Sequence, residues 1–244
     1  MHQMRFRDPA GAVRTGEYDA ATDTVSAGGR TYDTDDVDVL PPCEPSKVVC
    51  VGRNYVKHAD ERDEEVPDRP LLFLKPPNAV AGHGDTTPLP ADRYVEHEAE
   101  FAVVVGEQAR NLDEADALDA VAGYTVANDV SNRTDQDEEQ NWVRGKAFDG
   151  ACPLGPVLAT PEEVPDDAAV ELRVNGETRQ SSSIEHFVFD VPELLAEITE
   201  LVTLEPGDVV LTGTPEGVGE LTDGDRVEVT VEGVGTLEHT VERA

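Results

Sequence analysis

Lysine is nearly missing from this chain: among 244 residues and 19 basic side chains only Lys47, Lys57, Lys75 and Lys146 are lysines. Positive charge as a whole is scarce, because 52 Asp and Glu against those 19 leave a formal net charge of −33. A polyanion repels a phosphate backbone, which excludes nucleic acid as an expected partner. Cys43, Cys50 and Cys152 are odd in number and lack a C-x-x-C pair, so neither a disulfide framework nor a zinc knuckle is suggested and reduced thiols are expected. No run approaches the roughly 18 apolar residues of a membrane helix, and the N-terminus shows no basic stretch before an apolar one; the expectation is a cytoplasmic protein without a membrane partner. Aromatics make up only 5%, yet 38% hydrophobic residues and apolar runs at 71–74 and 121–126 argue for a folded core rather than disorder.

Strand-type runs dominate what is present: residues 48–51, 71–74, 101–105, 124–127, 170–174, 209–212 and 227–231 are rich in β-branched and apolar side chains. Helices are expected at 112–122 and at 191–201, where Leu194, Leu195, Ile198, Leu201 and Val202 fall on one face and Pro192 suits a first turn. Residues 1–45 look like a small β annex of short strands ending at Leu40-Pro-Pro42, and 46–244 like the main domain. Asn175-Gly176 and Gly233-Val-Gly235 mark hairpins. The acidic stretches 60–68, 135–139 and 162–167 read as loops, the first two beside candidate chemistry and of lid-like composition.

Glu98 and Glu100 open an apolar strand in Tyr94-Val-Glu-His-Glu-Ala-Glu-Phe-Ala-Val-Val-Val105. Alternate side chains of a strand share a face, so the two carboxylates point the same way and repel. A hard divalent cation would compensate them; a solvated acidic edge would show the same letters. Asn128-Asp-Val-Ser-Asn-Arg133 ends another apolar strand, where Asp129 can complete an all-oxygen site suited to Mg²⁺, Mn²⁺ or Ca²⁺ rather than zinc. His58 and Glu61 lie three apart, a spacing that on a helical turn makes either a carboxylate-oriented general base or an ordinary surface pair. Arg144-Gly-Lys-Ala-Phe-Asp149 offers Lys146, and the Gly-rich Thr212-Gly-Thr-Pro-Glu-Gly-Val-Gly219, which is not a P-loop, offers Thr214 and exposed amides for a carboxylate or is merely a tight turn.

Taken in order, Gly52-Arg-Asn-Tyr-x-x-His-x-x-Glu61, Glu98-x-Glu100, Asn128-Asp-Val-Ser-x-Arg-x-x-Gln136, Gly145-Lys-x-Phe-Asp149 and Gly213-Thr-Pro-x-Gly217 resemble the fumarylacetoacetate hydrolase family, from about residue 46 to the C-terminus. The resemblance implies a mainly β fold with few helices, a mixed β-sandwich or β-roll, usually as a homodimer. It implies one divalent ion on Glu98, Glu100 and Asp129; a His58–Glu61 catalytic dyad; Lys146 as an active-site lysine; and Arg133, Gln136 and Thr214 near the substrate. Ala147, where Ser or Gly is common, and His97 between the acids are mild departures. The implied substrate is a 2-oxo acid that reacts through a metal-stabilised enolate. Hydrolysis of a C–C bond in a 2,4-dioxo acid of the acylpyruvate or fumarylpyruvate type is the leading expectation. Isomerisation or decarboxylation of 2-hydroxyhepta-2,4-diene-1,7-dioate or a related 2-oxo diacid is the alternative, ahead of dehydration of a 2-oxo-3-deoxy sugar acid or a metal-binding protein without turnover.

A surface this acidic is tolerable where ions screen it, which points to a salt-rich cytoplasm. The melting temperature is therefore expected to rise by more than about 5 °C between low salt and molar KCl. Equal melting curves in the two buffers would refute salt adaptation.

Overall fold

The computed structural model describes residues 1–61 and 67–243. The acidic stretch expected as a loop at 60–68 falls largely outside the described residues.

Strands form most of the fold, as the runs of β-branched residues require. Among the described residues a twelve-stranded sheet has ten strands along the path Arg30–Asp33, Thr24–Ala27, Val13–Asp19, His2–Arg7, Cys152–Ala159, Val121–Asn128, Ala99–Val105, Val209–Leu211, Val48–Gly52, Leu71–Lys75, with Asp38–Leu40 beside His2–Arg7 and Val80–Ala81 beside Cys152–Ala159 off it. It is mixed, since Val209–Leu211 runs parallel to Val48–Gly52 while its neighbour Ala99–Val105 is antiparallel. The N-terminal strands join it through His2–Arg7, which pairs with Cys152–Ala159. A five-stranded sheet, ordered Glu177–Ser183, Ala169–Val174, Arg226–Val231, Gly235–Arg243, Thr86–Leu89, packs over one face.

All seven residues of Ala99–Val105 are buried, and they alternate between two cores. Phe101, Val103 and Val105 meet Val170, Leu172, Val229 and Leu237 of the second sheet, whereas Ala102 and Val104 meet Val48, Cys50, Leu154 and Leu211 on the other side. A strand covered on both faces reads as continuous apolar sequence, which explains the run that follows Glu100.

The helix Val191–Leu201 is fixed by a capping box, with Asp190 accepting from the Glu193 amide and Glu193 returning the bond, and by Pro192 in the first turn. Leu194, Leu195 and Ile198 are buried, but Leu201, expected on the same face, is 57% exposed where the helix ends. The helix expected at 112–122 is instead a 3₁₀ turn, Glu114–Ala120, because Val121 already pairs with Val105 in the sheet. The stretch 135–139, expected as a loop, lies mostly in the helix Arg133–Glu138, whose N-cap Asn132 accepts from the Asp135 amide. Local capping outweighs the acidic composition there. The stretch 162–167 starts in the 3₁₀ turn Pro161–Glu163. Asn175 and Gly176, both at positive φ, form the expected hairpin between Ala169–Val174 and Glu177–Ser183. None of the described helices is long and apolar enough to cross a membrane.

His239, on Gly235–Arg243, links the two sheets. Its Nε2 accepts from Asn128 Nδ2 at 2.9 Å and its Nδ1 faces the Thr240 carbonyl at 3.3 Å, the pattern of a neutral ring protonated at Nδ1. Burial pushes its pKa from 6.5 down to about 4. Unfolding releases this ring to its ordinary value, so the unfolded chain binds the extra proton first and stability falls as pH drops through the window from 6.5 to about 4. The contribution lost by about pH 4.5 is on the order of 2.5 kcal/mol. Chemical denaturation of the wild type and His239→Gln at neutral pH and at about pH 4.5 should show a correspondingly smaller acid loss in the variant. Equal losses would refute the assignment.

Candidate metal centre and active site

The site begins with sheet register. Ala99 pairs with Asn128 and Glu100 with Ala127, so the chain leaving Val121–Asn128 sets Asp129 beside the two glutamates. The Asp129 amide donates to the Glu98 carbonyl at 2.9 Å, and the Glu98 amide donates to Asn128 Oδ1 at 2.8 Å. One carboxylate oxygen from each of Glu98, Glu100 and Asp129 lies within 4.8 Å of the others, and all three residues are buried. The acids expected to share a face do so, and they face inward rather than along a solvated edge.

Compensation is uneven. Arg133 pairs with Glu98 through Nη2 and with Glu96 through Nε at 2.6 Å, while its Nη1 donates to Gln136 Oε1 at 2.7 Å. Lys146 Nζ bridges Glu98 Oε2 at 2.7 Å, Asp129 Oδ2 at 2.8 Å and Ser131 Oγ at 2.5 Å. Lys75, fully buried at the end of Leu71–Lys75, reaches Asp129 Oδ1 at 2.7 Å and the carbonyls of Ala151 and Val130 at 2.8 and 3.2 Å. Glu100 accepts the Gly213 amide at 2.6 Å, and among the described residues no ion pair to it is found. Among the described buried residues of the site, four carboxylates thus face three cations.

The protonation equilibria follow. Burial, then the charges of Asp129 and Glu98, push the Glu100 carboxyl well above its ordinary range. Burial acts the same way on Glu98, but Arg133 and Lys146 outweigh it and hold that carboxyl well below. Burial would lower the Lys146 ammonium, and Asp129 and Glu98 more than reverse this. A buried, crowded carboxylate with one backbone partner is what a divalent ion neutralises, and an all-oxygen donor set fits Mg²⁺, Mn²⁺ or Ca²⁺.

His58 sits on the short helix Val56–Glu61, which follows Val48–Gly52 through Arg53 at φ 61°. Buried Asn54 anchors the connection, donating to the Thr212 and Phe189 carbonyls at 2.8 and 3.0 Å and accepting the Phe189 amide at 2.8 Å. His58 is 8% exposed, with Nδ1 3.5 Å from Glu61 Oε2. The Glu61 oxygens also accept the Gly217 amide at 3.1 and 3.2 Å, so this carboxylate ties His58 to the Gly-rich loop. Gly217, at φ 93°, leaves no room for a side chain: a Cβ there would lie 2.3 Å from the Arg179 carbonyl oxygen.

A pocket of about 140 Å³ collects His58, Glu98, Glu100, Asp129, Arg133, Gln136, Lys146 and Thr214. Of the residues singled out in the sequence, Glu61 alone stands behind this lining. Because Arg133 can only donate, it occupies the Gln136 carbonyl and leaves that side chain's NH₂ as its donor end. Phe73 and Trp142, with ring centroids 5.4 Å apart, form an apolar wall, and Lys146 Nζ lies 5.0 Å from the Phe73 ring. A larger hollow of about 1160 Å³ lies between the N-terminal strands and the C-terminal hairpin, but none of the triad lines it.

Lys75, Glu96 and Gln180 went unrecognised in the sequence. Lysine scarcity was a signal for Lys75; Glu96 looks like one more acid, and Gln180 sits among polar strand residues that resemble an exposed edge.

Glu100→Gln tests the metal site. The variant should melt at or above the EDTA-treated wild type, since it removes the uncompensated charge, yet lose the stabilisation that Mn²⁺ gives the wild type. A Mn²⁺-dependent shift retained in the variant would refute the assignment.

Comparison with known proteins agrees with this construction. The fumarylacetoacetate (FAA) hydrolase C-terminal family matches residues 47–242. A crystal structure of 5-carboxymethyl-2-hydroxymuconate delta-isomerase from Mycobacterium smegmatis superposes with a TM-score of 0.92 at 40% identity, covering 100% of this chain and 99% of that one. The fumarylpyruvate hydrolase of Pseudomonas aeruginosa, solved in complex with Mn²⁺ and pyruvate, gives a TM-score of 0.77 at 32% identity over 85% and 92% of the two chains. The Bacillus subtilis oxaloacetate tautomerase YisK is 38% identical over 229 residues, 88% of this chain and 76% of its own. A match over residues 47–242, most of the length, places this chain in the fumarylacetoacetate hydrolase family.

Proposed function

We propose that the chain is a divalent-metal-dependent enzyme that converts a small 2-oxo acid through its enolate, with hydrolysis of a C–C bond in a 2,4-dioxo acid of the acylpyruvate or fumarylpyruvate type as the leading reaction. The observation that carries this reading is the single pocket in which a buried carboxylate triad, a carboxylate-linked histidine and several outward-facing donors converge. A cation on Glu98, Glu100 and Asp129, with Mg²⁺ ahead of Mn²⁺ or Ca²⁺, would supply Lewis-acid stabilisation of the negative charge that develops on the 2-oxo acid.

The chain's own groups supply the rest. Gln136 and Thr214 donate to the substrate carboxylate, and Arg133 and Lys146 keep the pocket positive towards an anion. His58 takes a proton from water, whose oxygen bonds to the distal carbonyl carbon; Glu61 stabilises the imidazolium. The C–C bond then breaks, its electron pair leaves with the pyruvate fragment as an enolate, and the proton held by His58 returns to the products. The pocket, at about 140 Å³, suits a compact acid better than a long one.

The second reading is isomerisation, tautomerisation or decarboxylation of a 2-oxo acid or diacid such as 2-hydroxyhepta-2,4-diene-1,7-dioate, with His58 moving a carbon-bound proton instead of activating water. It is favoured by the higher identity to relatives named as an isomerase and a tautomerase than to the hydrolase. We further propose a homodimer working in a salt-rich cytoplasm; Leu74, 55% exposed on the edge strand Leu71–Lys75, supports a covered edge.

The test is turnover in molar KCl with Mg²⁺ or Mn²⁺ on acylpyruvates, oxaloacetate and the diene-dioate, followed by enol absorbance and product NMR with an EDTA control. EDTA-sensitive release of pyruvate and a free acid supports hydrolysis, whereas a shifted double bond, enol–keto exchange or CO₂ supports the second reading. Lys146→Met should keep the fold and lose about 10²–10³ in kcat. Absence of turnover on the whole panel would overturn both readings.

A further inference from the structure

Gln180 lies on Glu177–Ser183 in the second sheet, 1% exposed and outside the pocket lining, yet it touches three parts of the site. Its Oε1 accepts the Ala99 amide, between the two metal-binding glutamates, at 3.0 Å and lies 3.0 Å from His97 Nδ1. Its Nε2 donates to the Pro215 carbonyl and to Thr214 Oγ1, both at 2.8 Å. The backbone fixes the orientation of this amide, because the Ala99 N–H can only donate and the Pro215 carbonyl can only accept. Turning the amide over would set donor against donor and acceptor against acceptor.

The direction of every proton follows. His97 must carry its proton on Nδ1, and Thr214 Oγ must accept from Gln180. A hydroxyl has one proton to give, and no hydrogen bond to an acceptor among the described residues uses that of Thr214. Thr214 lines the pocket together with His58 and the triad. We infer that Gln180 is a positioning residue that makes Thr214 a dedicated hydrogen-bond donor to the carboxylate of the bound acid. This rests on the proposed 2-oxo acid reading. It assigns substrate orientation to a residue of the second sheet that does not itself touch the substrate.

The test is a double-mutant cycle of Gln180→Met and Thr214→Val, read as the affinity of the Mn²⁺-loaded protein for oxalate, a stable dicarboxylate analogue of a 2-oxo acid, by calorimetry. Thr214→Val should weaken oxalate roughly ten- to hundredfold, the range for one hydrogen bond to a charged group. Gln180→Met should weaken it several-fold in the wild-type background and less than about twofold beside Thr214→Val, because the pair acts as one unit. Mn²⁺ affinity should stay within about twofold in both single variants, and KM should rise more than kcat falls. Additive losses, unchanged oxalate affinity in Gln180→Met, or a parallel fall in Mn²⁺ affinity would overturn the inference. A wild-type protein that binds Mn²⁺ but not oxalate would instead overturn the 2-oxo acid reading, and this inference with it. Should Gln180→Met fail to fold, NMR of the otherwise intact protein decides. Both Gln180 NH₂ protons should be protected from exchange, with one shifted by Thr214→Val; unprotected protons or no shift would overturn the role.

Discussion

Among the described residues of the site, four buried carboxylates against three buried cations is the imbalance on which the rest of this structure depends. Glu96, Glu98, Glu100 and Asp129 are each removed from bulk water, and Arg133, Lys146 and Lys75 answer three of the charges. Desolvating one ion costs several kcal/mol even after relaxation, so such a cluster survives only if its partners arrive in nearly ideal geometry. The fold meets that demand by drawing the cations from separate segments: a strand end for Lys75, a capped helix for Arg133 and a short turn for Lys146. The remaining negative charge is the attraction for a divalent ion. Once such an ion is bound the cluster carries a net positive charge, which is the condition for holding an anionic substrate.

The scarcity of lysine acquires a structural meaning in this light. Lys75 and Lys146 sit on Asp129 and Glu98, Lys57 lies 3.4 Å from Glu216 in the Gly-rich loop, and Lys47 pairs with buried Asp208. Asp208 also accepts the amides of Ser46, Lys47 and Glu205, which secures the parallel pairing of Val209–Leu211 with Val48–Gly52. Those two strands lead directly to Thr214 on one side and to His58 on the other. Every lysine that persists in this acidic chain therefore pairs with a carboxylate, three of them in or beside the pocket.

What was legible in the sequence was what depends on local periodicity. The strand pleat alone places Glu98 and Glu100 on one face, the end of an apolar run places Asp129, and Pro192 with the apolar face of Leu194, Leu195 and Ile198 announces the helix Val191–Leu201. What was not legible depends on partners far away in the chain. The helix Arg133–Glu138 is stabilised by an Asn132 cap that composition hid beneath a run of acids. Glu96 gains its meaning only by meeting Arg133, and Gln180 only by meeting Ala99 and Thr214 across the gap between two sheets. A buried, fully bonded glutamine and a solvated one are the same letter in an alternating polar strand.

The same division explains why the site speaks more clearly about an intermediate than about a reaction. Charge, protonation and donor direction belong to the buried cluster, and they are what the proposed enolate chemistry would draw on. Which bond aligns with that enolate depends instead on the walls, where Phe73 and Trp142 close one side and Leu71 and Asp137 contribute to the lining. Trp142 holds φ 54°, a backbone conformation that a bulky side chain adopts only when its surroundings impose it, so this wall is itself a constrained element. Substitutions in the wall can redirect the chemistry without disturbing the charge balance, whereas a change in the cluster removes a partner that another ion requires.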